Sequence, residues 1–143
     1  MKQRTLLVGP RNSGKHVIAQ ALENSPTSLR RVANIVYYDQ TIIVPDSYLE
    51  SPWMHKHVIA LQQSAKNGLF LQPVTATRRS YPPNFAKAFR IPILGVVTFF
   101  ESCEQSALFQ AKEQLVACGI TEKIICVDLA DPQAIKELKK YLQ

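Results

Sequence analysis

No segment of this chain is apolar for long enough to cross a membrane, and its first residues lack the pattern of a secretory signal peptide. Cysteine is scarce, and the three residues Cys103, Cys118 and Cys126 lack the spacing of metal ligands. The pattern favours buried, reduced thiols in a cytosolic protein. Internal repeats, long linkers and low-complexity segments are also absent, so we expect residues 1–143 to form a single domain.

The composition is that of an ordinary globular protein. Hydrophobic residues make up 46% of the 143 residues and charged residues 20%, values that are typical of soluble domains. This length is sufficient to build a substantial hydrophobic core. The composition alone therefore indicates a fold class but no function.

The chain is basic, with a net charge of +6. Its paired cations, Arg30-Arg31, Arg78-Arg79 and Lys139-Lys140, are scattered along the sequence. Nucleic-acid proteins usually concentrate basic residues on one face and place aromatic side chains among them. The pattern does not favour nucleic acid as a partner. Our first interpretation is that the basic side chains are solvated surface charges. The second is that they bind an acidic protein partner.

The most informative motif follows a short apolar strand near the amino terminus. It has the form G-x-x-x-x-G-K of a phosphate-binding loop, and we predict that nucleotide phosphates contact its residues. Glycines let the backbone turn tightly around an anion, the helix amino end adds partial positive charge, and the lysine adds a full one. The predicted binding residues are Gly9, Pro10, Arg11, Asn12, Ser13, Gly14, Lys15 and His16.

The last position of this motif departs from the pattern. A working loop of this kind ends in Ser or Thr, whose hydroxyl binds Mg²⁺, whereas this chain has His16. Imidazole suits zinc or nickel better than Mg²⁺, but a single histidine is a weak ligand set. His55 and His57 are two residues apart and would face different ways on a helix. We therefore expect no metal site and no role for Mg²⁺.

Strand and helix patterns alternate along the rest of the chain, which indicates a three-layer α/β domain around a mainly parallel sheet. Val17, Ile18, Ala21 and Leu22 give the first helix its apolar face. We predict strands ending at Val8 and at residues 34–38, 41–44, 69–74, 91–97 and 123–127, with the second and third forming a hairpin. We predict helices after Gly14, at 53–65, at 105–117 and from Pro132. Residues 78–83 are the best candidate for a flexible surface loop.

Several segments together resemble the EutP/PduV family of small Ras-like P-loop proteins. The resemblance runs along residues 1–143, and Tyr48-Leu49-Glu50 and Pro82-Pro83-Asn84-Phe85-Ala86-Lys87 make it specific. It implies a single P-loop NTPase-like domain with a five- to six-stranded sheet and helices on both faces. It also implies a bacterial cytoplasmic protein of ethanolamine or propanediol utilisation, with protein partners at a catabolic microcompartment and a GTPase-like or acetate kinase-like activity.

The chain departs from the family pattern at further motifs. The family has Asp-Thr-Pro-Gly where this chain has Ile43-Val44-Pro45-Asp46, so a metal-anchoring carboxylate is replaced by a hydrocarbon. The family's base-recognition motif Thr-Lys-x-Asp is here 98–101, Thr-Phe-Phe-Glu, which carries the base-side roles over to Thr98 and Glu101. A Ser-Ala pair expected after the last strand is replaced by Asp128-Leu129.

These departures predict a degenerate member of the family. We expect weak binding of phosphate or of a nucleotide, ATP or GTP, with little or no hydrolysis and a role through protein contacts. We also expect Phe99 and Phe100 to pack inward and to close the base site, with an exposed ring as the alternative. The alternative function is an active nucleotide-dependent enzyme of ethanolamine catabolism.

Overall fold

The computed structural model describes residues 4–23, 34–76, 80–120 and 123–142. The strands in these ranges are β1 Arg4–Val8, β2 Val36–Tyr37, β3 Thr41–Ile43, β4 Ala65–Pro73, β5 Ile93–Phe99 and β6 Ile124–Asp128. The α-helices are α1 Lys15–Glu23, α2 Asp46–Glu50, α3 His55–Ala60, α4 Gln105–Ala117 and α5 Pro132–Tyr141. None of the described helices is long and apolar enough to span a membrane.

The six strands form one sheet in the order β2-β3-β1-β4-β5-β6. Every neighbouring pair is parallel except the hairpin of β2 and β3, in which Val36 is opposite Ile43. Strand β1 is central, so Leu6 pairs with Ile42 on one side and with Gly68 on the other. The predicted fold class, a mainly parallel sheet of five to six strands, and the predicted hairpin are confirmed.

Alternate residues of the central strands build two cores on opposite faces of the sheet, as the two-residue repeat of a strand requires. Leu6, Val8 and Phe70 belong to the core that α2, α3 and α4 cover. Leu7 and Leu69 belong to the core that α1 and α5 cover. A parallel sheet needs this double cover because both of its faces are apolar.

The predicted helix ends at α4 and α5 are confirmed. Gly119 follows α4 with a φ of +105°, and its N–H bonds the Val116 carbonyl while that of Ile120 bonds the Leu115 carbonyl. This pair of bonds is the Schellman arrangement that favours glycine. Asp131 caps α5 by accepting the Gln133 amide at 2.9 Å, so both ends are set by local sequence.

Other predicted boundaries are wrong. Residues 53–65 form not one helix but a 3-10 turn (Pro52–Met54), α3 and a second 3-10 turn (Leu61–Ser64), and Ala65 already begins β4. This long β4 replaces the short strand predicted at 69–74, because its first residues pair with β1. The short helix α2 was not predicted, and Val17 lies 38% exposed rather than on the apolar face of α1.

The predictions of a flexible loop and of buried thiols are also partly wrong. Residues 78 and 79 lie outside the described part of the chain, but Tyr81 is only 3% exposed. All three cysteines are free thiols, yet only Cys118 is buried. Cys126 is exposed because β6 is an edge strand, and Cys103 is half-buried in the segment before α4. Burial raises the pKa of Cys118 to about 11.

Candidate phosphate-binding site

The loop between β1 and α1 has a fixed, strongly turned backbone. Asn12 and Gly14 have positive φ values of 62° and 92°. The Ser13 amide bonds the Pro10 carbonyl at 3.3 Å, and the Ile18 amide bonds the Gly14 carbonyl at 3.0 Å as the helix begins. Asparagine and glycine are the residues that adopt this left-handed region most readily. The loop therefore owes its shape to its own sequence.

Both motif glycines are also needed for space. A Cβ atom added at Gly14 would lie 2.6 Å from Cδ1 of Leu129, and one at Gly9 would lie 2.6 Å from Oγ of Ser13. Both distances are shorter than real Cβ contacts, so either substitution would force the neighbouring side chain to move. The loop thus packs against the Asp128-Leu129 turn on one side and folds back on itself on the other.

Lys15 is the buried cation of the site. The residue is 6% exposed, and its Nζ donates to the Gly9 carbonyl at 2.7 Å. This bond holds the ammonium across the loop from the helix to the end of β1. The full positive charge of Lys15 adds to the partial positive charge of the helix amino end, and both attract an anion that enters the loop.

A cavity of about 290 Å³ opens above the loop. One wall is the loop and the start of α1, and the other is the chain around β2 and the end of β3. The lining residues are Pro10, Arg11, Asn12, Ser13, Gly14, Lys15, His16, Val17, Asn34, Val36, Ile43, Pro45 and Asp46. The structure therefore brings seven of the ten predicted site residues to one cavity, with Arg11 exposed at its rim.

The wall that faces the loop is poor in metal ligands. Ile43 is 4% exposed, and neither its side chain nor that of Pro45 carries an oxygen. Asp46 begins α2 and places a carboxylate on the cavity wall. Within residues 4–23, 34–76, 80–120 and 123–142, no three His, Cys, Asp or Glu side chains meet as a ligand group.

Thr98 lies beneath the loop rather than in the cavity. It is 1% exposed, and its Oγ1 donates to the Ser13 carbonyl at 2.9 Å. The bond joins the end of β5 to the phosphate loop across 85 residues of sequence. Thr98 therefore acts as a support for the loop in this structure.

Glu101 lies outside the cavity as well, in the turn that follows β5. It is exposed with a φ of +63°, and its amide donates to Oδ1 of Asp128 at 2.8 Å. The same oxygen accepts the Ala130 amide at 2.9 Å, and the Leu129 amide bonds the Phe99 carbonyl at 2.8 Å. The Asp128 carboxylate thus connects the turn after β5 with the turn after β6. The family resemblance assigns recognition of the nucleotide base to these two turns.

The expected inward packing of both phenylalanines is wrong for Phe100. Its ring is 63% exposed, whereas Phe99 is partly buried at the end of β5. β5 ends at Phe99, so Phe100 lies in the turn beyond the sheet and its ring meets solvent. The alternative in which a ring remains exposed is the arrangement observed for Phe100.

Sequence reasoning missed Tyr81. Its hydroxyl lies 2.7 Å from the Leu71 carbonyl and 3.0 Å from the Val8 carbonyl, and it donates its proton at the carboxyl ends of β4 and β1. Its ring stacks on Phe70 with centroids 5.2 Å apart. Burial raises the pKa of Tyr81 well above its ordinary value. The tyrosine fixes the strand end from which the phosphate loop departs.

The histidines of α3 behave as the sequence predicted. Nε2 of His55 lies 2.7 Å from the Leu49 carbonyl, and its ring lies 5.2 Å from that of Phe85. His57 is exposed. His55 therefore links α3 to Leu49 and Phe85, whereas His57 faces solvent.

The sequence of the whole chain decides its family. A sequence model of the PduV-EutP family, described as ethanolamine utilisation - propanediol utilisation, matches residues 1–143. The chain belongs to the PduV-EutP family. The propanediol utilization protein PduV of Citrobacter freundii is 21% identical over 140 residues, which are 98% of this chain and 93% of that protein.

Solved structures show that the fold of this PduV-EutP chain is shared with P-loop GTP-binding proteins. A probable GTP-binding protein engB superposes with a TM-score of 0.62 at 11% identity, over 97% of this chain and 96% of its own. A single-residue variant of Era from Aquifex aeolicus, bound to GDP.AlF4-, superposes with a TM-score of 0.61 at 17% identity, over 97% of this chain and 55% of its own. At these identities the likeness concerns the fold alone.

Proposed function

We propose that this chain binds the phosphates of ATP or GTP weakly at the loop Gly9–Lys15, with little or no hydrolysis. We further propose that it acts through protein contacts in ethanolamine or propanediol utilisation, in the bacterial cytoplasm and at a catabolic microcompartment. The observation that carries the phosphate site is Lys15, which lines the cavity above the loop and whose Nζ donates to the Gly9 carbonyl across that loop. Family membership supports the biological setting.

The residues present fit a bound phosphate. The cavity combines the amino end of α1 with Gly14 and Lys15 of the loop. Helix amino ends and concave runs of backbone amides are general anion sites. The arginine at the rim, Arg11, adds a planar donor that suits phosphate oxygens. Solved proteins of the same fold hold GDP or a GTP analogue, which makes a nucleotide the natural ligand class.

The residues present do not fit a divalent metal. The hydroxyl expected after Lys15 is replaced by the imidazole of His16, and the carboxylate expected at the end of β3 is replaced by Ile43. The Asp46 carboxylate lies on the same wall and would repel phosphate. Phosphoryl transfer depends on positioning and on metal electrostatics. The loss of both oxygen ligands therefore supports binding with little turnover.

Calorimetric titration with ATP and GTP, each with and without Mg²⁺, tests this function. We expect weak binding that Mg²⁺ changes little and that Lys15→Ala abolishes. Lys56→Ala, which removes an exposed lysine of α3, is the matched control and should bind as the wild type does. Amide NMR shifts should centre on residues 9–16, and thermal unfolding shows whether Lys15→Ala remains folded.

Restoring the missing groups gives the converse test. The triple variant His16→Thr, Ile43→Asp, Asp46→Gly restores the family pattern at all three positions. It adds a hydroxyl at 16 and a carboxylate at 43, and it replaces the charged side chain at 46 by glycine. We expect it to bind nucleotide more tightly, and only when Mg²⁺ is present. Tight, Mg²⁺-dependent binding with turnover in the wild type, lost in Lys15→Ala, would instead establish the alternative, an active nucleotide-dependent enzyme.

A further inference from the structure

The two walls of the cavity above the phosphate loop carry charges of opposite sign. On the wall formed by the loop and the start of α1, Lys15 lines the cavity and Arg11 is exposed at its rim. On the facing wall stands Asp46, which is the one acidic residue among the described residues that line the cavity. A ligand in this cavity therefore meets positive charge at one end and negative charge at the other.

The carboxylate of Asp46 is available to a ligand. The residue is half-buried at the start of α2. Among the described residues, none donates a hydrogen bond to this carboxylate or forms an ion pair with it. A cation in the cavity can therefore contact Asp46 without displacing an internal partner, and it can form a charge-assisted hydrogen bond. Asn34 lies on the same wall, and its side-chain carbonyl is a second acceptor for such a cation.

This wall suits a cation that belongs to the ligand better than it suits a metal ion. Asp46 supplies one carboxylate, Ile43 supplies none, and no group of three ligand side chains is found in the described part of the chain. An alkylammonium has three N–H donors and needs only hydrogen-bond acceptors around it. One carboxylate and one amide are sufficient for that purpose.

Hydrocarbon side chains also line the cavity. Val36 of β2, Ile43 of β3 and Val17 of α1 contribute to its walls, and none of them can form a hydrogen bond with a ligand. Apolar surface of this kind favours methylene groups, because their contact with it removes both from water. A short aliphatic stem therefore complements the part of the cavity that carries no charge.

The volume of the cavity, about 290 Å³, indicates a small ligand. Sites for drug-sized ligands have volumes of about 300–1,000 Å³. Thr98 and Glu101, to which the family resemblance assigns the nucleotide base, do not line this cavity. A nucleotide would therefore place its phosphates in the cavity and its base outside, whereas a compact ligand can occupy both walls.

We propose that the cavity binds a small aminoalkyl phosphate, with its phosphate at the loop Gly9–Lys15, its stem against Val36 and Ile43, and its ammonium at Asp46. The inference rests on the proposed binding of phosphate at the loop, and it adds the group that recognises the other end of the ligand. ATP and GTP share only the phosphate end, so they compete with this ligand for the loop. Binding alone is proposed, and no bond is made or broken.

Calorimetric titration with aminopropyl phosphate and with butyl phosphate tests the role of Asp46. The two compounds have the same length, but a methyl group replaces the terminal ammonium in butyl phosphate. We expect the wild type to prefer aminopropyl phosphate about tenfold, which is about 1.4 kcal/mol. Aminoethyl and aminobutyl phosphate, with propyl and pentyl phosphate as their partners, cover shorter and longer stems, and the preference is taken from the aminoalkyl phosphate that binds best.

Asp46→Asn removes the charge and keeps the shape of the side chain. It should abolish the preference and bind butyl phosphate at least as tightly as the wild type does, because a carboxylate that repels phosphate is lost. Retained binding of butyl phosphate also shows that the variant is folded. Asp39→Asn, at an exposed carboxylate outside the cavity, is the matched control and should keep the preference. Amide NMR shifts should appear at residues 9–16 and at 43–46.

The outcomes distinguish this inference from the function on which it rests. If ATP and butyl phosphate bind in a way that depends on Lys15, but the ammonium adds no affinity or Asp46→Asn keeps the preference, only the inference fails. If no ligand binds, or if Lys15→Ala changes nothing, both fail. A gain in affinity on addition of Mg²⁺ that Asp46→Asn removes would assign the carboxylate to a metal ion and overturn the inference.

Discussion

Single side chains determine what the cavity above the phosphate loop can hold. The Gly9 and Gly14 positions leave no room for a Cβ atom, and Lys15 is held across the loop by a carbonyl. These three residues are recognisable from their spacing, because the loop is built from consecutive residues. Thr98 and Tyr81 support the same loop from 85 and 73 residues away. No local sequence pattern predicts such contacts. Thr98 was therefore predicted as a site residue only through the family resemblance, and Tyr81 was missed.

Tyr81→Phe tests the importance of the distant support. The change removes one hydroxyl that donates at the carbonyls of Leu71 and Val8, and it keeps the stacking on Phe70. A buried hydrogen bond contributes about 1 kcal/mol, so we expect the free energy of unfolding to fall by about 1–2 kcal/mol. Urea denaturation gives this value. Tyr141→Phe, at a ring that is 48% exposed, should change it by less than about 0.5 kcal/mol; equal effects would rule out a role for the buried hydroxyl.

At the scale of elements, local signals predicted the helix ends well and tertiary pairing decided the rest. Asp131 and Gly119 act on neighbouring backbone groups, so sequence alone identified both. The segment 53–65 has helical periodicity, yet it is divided into a 3-10 turn, α3 and a second 3-10 turn. Its last residue, Ala65, already belongs to β4. Pairing with the central strand β1 extends β4 and outweighs the helical preference of that residue.

The turn after β5 is the element to which the family resemblance assigns recognition of the base. Glu101 is exposed in a left-handed conformation, and its amide is bound by Asp128. Neither carboxylate lines the cavity above the phosphate loop. We therefore expect ATP and GTP affinities to agree within about tenfold, a difference below about 1.4 kcal/mol. Competition binding measures the ratio.

A matched pair of variants separates the base loop from the rest of the site. Glu101→Gly relieves the positive φ and keeps the amide that bonds Asp128, so it should leave the ratio unchanged. Thr98→Val removes the bond to the Ser13 carbonyl and should weaken both nucleotides alike. A preference of about a hundredfold for GTP in the wild type, lost in Glu101→Gly, would show that the base site is intact.

At the scale of the whole molecule, strand and helix patterns alternate along the sequence, and this alternation allowed the three-layer fold class to be predicted. Each central strand sends alternate residues to two cores, and helices cover both. The charge distribution could not be predicted in this way. The basic residues are scattered in sequence, and only the sheet topology collects Lys66, Arg90 and Lys123 at one end.

Stability at high pH provides a test of the packing on the face of the sheet that α4 covers. Burial raises the pKa of Cys118 to about 11 from an ordinary 9.0, and it raises that of Tyr81 as well. The unfolded chain therefore releases these protons at lower pH than the folded chain does. Their contribution to stability is complete below about pH 9 and is lost as the pH rises towards 11.

We expect the free energy of unfolding, measured in urea, to decrease steadily from about pH 9 to about pH 11. Lysines also titrate in this range, and the loss of their repulsion acts in the opposite direction. The informative quantity is therefore the difference from Cys118→Ala, which retains every lysine and lacks the buried thiol. The variant should start less stable because of the atoms it loses, and it should fall less steeply as the pH rises. Cys126→Ala, at an exposed thiol, is the control and should follow the wild type closely. Parallel curves for the wild type and Cys118→Ala would mean that Cys118 ionises as readily in the folded protein as in the unfolded chain.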